Sequence, residues 1–449
     1  MSPITPPLVT PPKSVRTSLK LLKQTARCII ETWPEEMYTA DTYQPPVKNF
    51  LYVMKPEAIA QILVTQADKF EQSHLLRRLI GPVWRSGIAT STGAQWRWQR
   101  RTAAPVFTPK SVKAIIPAAN LAAHQLCEKW AKQSETRCEI THDLGNAAQQ
   151  VVLDGLLGTL SDAHSAEILQ HHGADLTKKT GRINYADLLK LPNWTRRFLG
   201  PTLDAPAAGL HAEIGMRLKA LKDNESGPLL HLLAQSKDPE TGQVMSQEQL
   251  RDNIVGSLAA GRETTALGVA WSLFLLALDP ETQTRVRNEI NAALTSDDVT
   301  PEVLENLPLT RAVFYEAMRL YPPAPQMVRD CIADTDIAGI TLKKGMTITI
   351  PIYAIHRNSN VWDQPNTFRP DRFMDPRVFA KENRFRYLTF GAGARVCLGQ
   401  AFAMTEAVTI LAQIIRKLHI QDATDGSLVF ETGATLRAKN GIFLRFSPI

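Results

Sequence analysis

The segment Phe390-Gly391-Ala392-Gly393-Ala394-Arg395-Val396-Cys397-Leu398-Gly399 sets one cysteine in a glycine-rich loop, with an arginine two residues upstream. A thiol is a ligand only as thiolate, so its ordinary pKa of about 8.5 must be pulled down. A helix start does this, because unpaired N–H groups and the macrodipole favour negative charge there. Apolar Leu398, Phe402, Ile410, Leu411, Ile414, Ile415 and Leu418 recur at helical spacing, which places Cys397 at such a start. The glycines tolerate positive φ and let backbone N–H groups approach a flat ligand. A thiolate held this way suits iron in a macrocycle. A buried hydrophobic cysteine would leave the arginine and the glycine spacing unexplained. A dinucleotide fingerprint fails, because Val396 fills the place of its third glycine.

Three further groupings could serve such a site. Ala260-Gly261-Arg262-Glu263-Thr264-Thr265 falls inside a long helical pattern over 247–278. Glycine there costs about 1 kcal/mol against alanine, and a closely approaching ligand would justify Gly261. An acid beside a hydroxyl, Glu263 and Thr264, can pass protons to a bound oxygen species. The plainer reading is a surface acid and a threonine bonded back to its own helix. Trp96 and Arg100 stand at i and i+4 on one helix face, suited to a carboxylate. Glu316 and Arg319, at i and i+3, can pair locally. His211 and His356 are isolated and are given no role.

At these residues the chain resembles the cytochrome P-450 family. Phe390, Gly393, Arg395, Cys397 and Gly399 match every fixed position of its signature Phe-x-x-Gly-x-Arg-x-Cys-x-Gly, and 260–265 match its oxygen-activation motif. The resemblance implies haem b, with Cys397 as the axial thiolate to iron and Arg395 on a propionate. It adds Trp96, Arg100 and Arg329 as propionate partners, and Gly391, Ala260 and Gly261 as neighbours of the ring. Glu263 becomes part of the proton-delivery route, and Thr264 the residue that favours O–O cleavage. Glu316, Arg319 and Arg372 become a structural charge cluster, with Asp371 standing where the family more often has Glu. The implied activity is insertion of one oxygen atom from O2 into a lipophilic organic substrate, by hydroxylation or epoxidation. Substrate-facing residues are then expected in 79–91, 259–264, 324–327 and 432–436, under a roof formed by 168–210. Peroxide-driven, isomerising or dehydrating, and gas-sensing haem-thiolate proteins stay open as alternatives.

Composition and patterning agree with a mainly α protein carrying small β-sheets (α+β), the cytochrome P-450 fold by resemblance, in one large domain. The 449 residues are 44% hydrophobic and 21% charged, with ample material for a core. A net charge of +7 without a lysine tract gives no nucleic-acid signal and suits an acidic protein partner. Five cysteines without C-x-x-C spacing fit free thiols in the cytoplasm. The longest apolar stretch, 266–278, is short of the roughly 20 residues a membrane span needs. Residues 1–35 read as a proline-rich leader and a first amphipathic helix over 14–33, and 36–449 as the haem-thiolate domain. Other helices are expected over 57–69, 96–101, 110–132, 144–160, 207–221, 281–294, 309–320 and 398–418. Strands are expected over 45–54, 347–352 and 441–446.

No flavin or iron–sulfur segment follows 446, so electrons are expected from a separate ferredoxin or flavodoxin with its NAD(P)H reductase. It would dock on a monomer through some of Arg97, Arg101, Lys110, Lys113, Arg384 and Arg386.

Overall fold

The longest helix forms where the sequence supplies both its start and its filling. Ser246 Oγ accepts the Gln249 backbone N–H, and Gln249 Oε1 accepts the Ser246 N–H, closing a capping box. Residues 265–276 are buried without exception, so this half of the helix is wrapped on every side by protein. No described helix is long and apolar enough to cross a membrane.

The structure, a computed structural model, describes residues 4–13, 27–133, 136–158, 163–180, 191–195, 198, 202–220, 228–425 and 428–449. Helices of eight or more residues are numbered here. They are α1 (His74–Trp84), α2 (Gly93–Ala103), α3 (Ile116–Lys132), α4 (Ile140–Leu157), α5 (Ala163–Thr180), α6 (Asp204–Ala220) and α7 (Pro228–Gln235). The long helix is α8 (Gln247–Leu278), followed by α9 (Pro280–Ala293), α10 (Pro308–Leu320) and α11 (Gln400–Lys417). Helix α8 packs against α4, α10, α6, α11 and α1, and is the axis of the core.

Strands are short. They are β1 (Thr42–Tyr43), β2 (Phe50–Val53), β3 (Phe70–Gln72), β4 (Cys138–Glu139), β5 (Met327–Cys331) and β6 (Thr335–Ile337). Then come β7 (Ile340–Leu342), β8 (Thr347–Ile350), β9 (Leu418–Asp422), β10 (Phe430–Thr432), β11 (Leu436–Ala438) and β12 (Phe443–Pro448). The main sheet runs β1-β2-β8-β5-β3, with only β2 and β8 parallel, and it carries Arg329 opposite Gln72. The others are β4-β12-β9 and the hairpins β6-β7 and β10-β11.

Several expectations change. The helix expected over 57–69 is a short α segment, a π turn and a 3-10 turn. The one expected over 110–132 breaks into a helical turn, a 3-10 turn and α3, because Pro117 can occupy only a first turn. Helices α1, α5 and α7 fall between the expected elements. Residues 14–26 of the amphipathic helix expected over 14–33, and part of the roof over 168–210, lie outside the described residues, while 29–32 form a 3-10 turn instead of an α-helix. The described part of the leader lies across the core's surface. The Phe368 N–H donates to the Ile4 carbonyl, Tyr321 Oη to the Pro7 carbonyl and the Val9 N–H to Tyr353 Oη, and Val9 is buried.

The charge cluster forms as the resemblance implies. Glu316 accepts from Arg319 at 2.7 and 2.9 Å, from Arg372 Nε at 3.1 Å and from the Arg369 backbone N–H at 2.8 Å. Arg319 also donates to the carbonyls of His356, Pro365 and Thr367. Asp371 takes no part and pairs with Arg285 of α9. His356 has a structural role: Nε2 accepts the Leu388 N–H at 2.9 Å, so Nδ1 carries the proton toward the Arg319 carbonyl. Burial holds this imidazole well below its usual pKa, in keeping with the neutral form. The cluster thus reaches Leu388, whose carbonyl accepts the Gly391 N–H and anchors the cysteine loop.

Candidate active site

The loop turns back on itself, with the Cys397 N–H donating to the Phe390 carbonyl at 2.8 Å. Gly391 and Gly393 hold φ of 74° and 72°, a region that L residues rarely adopt. A Cβ on Gly393 would fall 1.9 Å from the Leu63 carbonyl oxygen, so no other residue fits there. Gly399 differs: its φ is −85°, and a Cβ would meet no protein atom within 4 Å. It caps α11, which begins at Gln400, so Cys397 precedes the helix instead of opening it. Cys397 is exposed, whereas the other four cysteines are buried. Desolvation by the loop raises its thiol, while the Gly399 N–H and the nearby Arg100 guanidinium act in the opposite direction.

Around this thiol stand three arginines without carboxylate partners. The Arg395 guanidinium lies 4.2 Å from the Trp96 ring centroid and donates to the Ser91 carbonyl. Burial, followed by the like charges of Arg329, Arg77 and Arg100, draws its pKa down to about 10, with only Glu71 opposing. Arg329 is buried, bonds neutral oxygens on Gln72 and Val328, and is lowered to about 10 by burial. Arg100 is lowered by burial, and its guanidinium has no hydrogen-bond or ion-pair partner among the described residues. Unneutralised guanidiniums gathered this way call for an anionic ligand.

A second group sits on α8 and opens into a cavity of about 170 Å³, lined in part by Trp84, Leu210, Ala260, Glu263, Thr264 and Thr435. Its walls come from α1, α4, α5, α6, α8, Ala324 and the β10-β11 turn, which brings together the substrate-facing segments expected from the sequence. Glu263 accepts from Thr435 Oγ1 at 2.7 Å and Arg437 at 3.2 Å. Burial raises its carboxyl, and Arg437, Thr435 and Arg262 pull it back. Thr264 Oγ1 donates to the Ala260 carbonyl at 2.6 Å, the back-bonded arrangement. Gly261 sits where α8 meets α4. A Cβ there would lie 2.9 Å from Val152 of α4, so the glycine serves close packing of two helices. No hydrogen bond or ion pair among the described residues joins this group to the cysteine loop.

Arg437, and the bond from Thr435 of the expected 432–436 segment to Glu263, escaped the sequence reading, since nothing in a lone Thr-Leu-Arg run points to an acid more than 170 residues away.

A family model described as Cytochrome P450 matches residues 35–446. The chain belongs to the cytochrome P450 family. Among curated relatives, cyclooctatin synthase of Streptomyces melanosporofaciens is 30% identical over 367 residues, 80% of this chain and 78% of that protein. Secologanin synthase 1 of Catharanthus roseus is 28% identical over 390 residues, covering 82% and 73%. The solved haem domain of cytochrome P450DA superposes with a TM-score of 0.79 at 21% identity, over 98% of each chain, and shows the same fold. As a P450 the protein binds haem b and is a haem-thiolate monooxygenase. An exposed thiol in a glycine loop, flanked by unneutralised arginines, suits that group's iron and its two propionates.

Proposed function

We propose that Cys397 is the thiolate ligand of the haem and that Arg100, Arg329 and Arg395 bind its propionates, Trp96 bracing Arg395 and aiding one of them. The observation that carries this is the trio of carboxylate-free guanidiniums beside the one exposed cysteine. Gly391 and Gly393 shape the loop and Phe390 closes it, while side-chain-free Gly399 leaves room for a flat ring. Ala260 offers a methyl-sized surface on the opposite helix. When bound, the haem supplies the thiolate-ligated iron at which O2 is activated for insertion of one oxygen atom into a substrate C–H bond.

The chain's own residues do the rest. The apolar cavity holds a lipophilic substrate and excludes bulk water. Thr264 Oγ can turn from the Ala260 carbonyl to hold a water or hydroxyl proton in the site. Glu263, raised by burial and tethered by Thr435 and Arg437, is a reservoir for that proton. Thr264→Ala is expected to leave substrate-dependent consumption of reduced nicotinamide within a few-fold of wild type through a surrogate redox chain. Oxygenated product per nicotinamide should fall severalfold. Unchanged coupling removes Thr264 from this role, and a product that gains no oxygen atom removes the hydroxylation or epoxidation reading.

For electrons we infer a separate acidic ferredoxin or flavodoxin with its NAD(P)H reductase. The docking set narrows from the sequence expectation. Arg101 is committed to Asp238 at 2.7 and 3.0 Å and to Glu240, and Lys113 reaches Glu305. Arg97, Lys110, Arg384 and Arg386 are exposed and make no ion pair among the described residues. Joint reversal of Arg97, Arg384 and Arg386 to Glu should slow reduction by the donor on the order of tenfold at low salt and flatten its salt dependence. An unaltered rate places the docking face elsewhere. Five unpaired cysteines support a cytoplasmic enzyme, with its domain over 36–449.

A further inference from the structure

The lining of the substrate cavity includes a positive charge that no ion pair among the described residues neutralises. Arg262 of α8 is 5% exposed and lines the same cavity as Glu263 and Thr264. Two amides of α4 clamp its guanidinium: Nη1 donates to Gln149 Oε1 at 2.6 Å and Nη2 to Asn146 Oδ1 at 3.0 Å. Both partners are neutral, and no carboxylate of the described residues makes an ion pair with it. Glu263 acts on it through space but is already held by Thr435 and Arg437. Burying a cation against neutral partners is costly. A strut between α8 and α4 needs only neutral donors, so holding two helices together does not account for the charge.

Arg262 is itself part of the cavity lining. Gly173 of α5 lines the cavity at the same place. A Cβ on Gly173 would lie 2.8 Å from Arg262 Nη1 and 2.5 Å from Gln149 Oε1, so a side chain there would crowd this corner. The amide clamp also fixes the plane of a guanidinium whose fork matches a carboxylate. Elsewhere the lining is dominated by Leu, Ile, Val, Ala and Trp84.

We propose that Arg262 anchors a carboxylate at one end of the substrate, so that this P450 takes amphiphilic acids in preference to neutral lipophiles. This rests on the cavity being the substrate site. The test uses the full haem-loaded chain and follows the spin-state shift with two matched pairs, decanoate with decan-1-ol and 4-phenylbutyrate with 4-phenylbutan-1-ol. In at least one pair the acid should bind about tenfold or more tightly than the alcohol, the scale of a charge-assisted contact. Arg262→Gln should abolish that preference, and Arg262→Lys should restore part of it. Gly173→Ala, which narrows the corner and keeps the charge, should weaken acid binding and spare the alcohol; it serves if Arg262→Gln does not fold. Equal binding of acid and alcohol in both pairs, no spin shift with any of the four, or a preference that survives Arg262→Gln overturns the proposal. The reduced carbon monoxide spectrum separates the two levels. A protein lacking the thiolate band fails as a haem-thiolate enzyme, whereas one that keeps it but shows no acid preference fails only here.

Discussion

Reduced protein carrying Cys397→His loses the red-shifted Soret band that sulfur ligation gives under carbon monoxide, and oxygen insertion falls by orders of magnitude with it. The reason lies in the ligand's charge. Imidazole is a neutral donor and lacks the electron push by which a thiolate promotes O–O scission. No other cysteine can take over. Cys28, Cys127, Cys138 and Cys331 are all buried, and none stands in the glycine loop beside Arg100. The arginines that would hold the propionates are untouched, so the variant should still take up haem. Haem content, the carbon monoxide spectrum and turnover through a surrogate redox chain together decide the matter. A variant that keeps both haem and the red-shifted band sinks the assignment of Cys397.

The largest effect on stability is expected at a residue that touches no ligand. Glu316→Gln should cost about 3–5 kcal/mol in denaturant unfolding, the usual penalty for leaving a buried cation unpaired. Glu316 and Arg319 are fully buried, and one carboxylate faces both Arg319 and Arg372. Neutralising it leaves two guanidiniums side by side, with only carbonyls and the Trp362 ring to receive Arg319. The disturbance passes through His356 and Leu388 to the cysteine loop, so haem should be lost at lower denaturant than in wild type. The control is Asp371→Asn. That pair with Arg285 is largely exposed and should cost under about 1 kcal/mol. Similar losses in the two variants would remove the buried cluster from its structural role.

Legibility varied with how local the cause was. Helix α8 could be read to the residue, because its capping box and long apolar filling are contiguous in sequence. The cysteine loop was legible for the same reason, since Gly391, Gly393, Arg395 and Cys397 fall within seven positions. Helix α1 was not, as Gly81 and Pro82 interrupt it and its basic face hides the period. Gly261 is ambiguous, because a glycine inside a helix does not say which neighbour needs the space; Val152 is one that does. The partners of Glu263 and Arg262 were invisible for a related reason. Thr435, Arg437, Gln149 and Asn146 lie more than a hundred residues away, and only the packing of α8 on α4 and on the β10-β11 turn brings them in.

The draped leader bears on the order of events during synthesis. Val9 and the Tyr353 hydroxyl that holds it are 344 residues apart, so at ribosomal speeds roughly 20–70 s separate their appearance. The segment around Val9 therefore finds its berth long after it has left the ribosome, and must stay unattached and unaggregated in the interval. Its prolines, which cannot donate to a strand edge, suit a segment that has to wait.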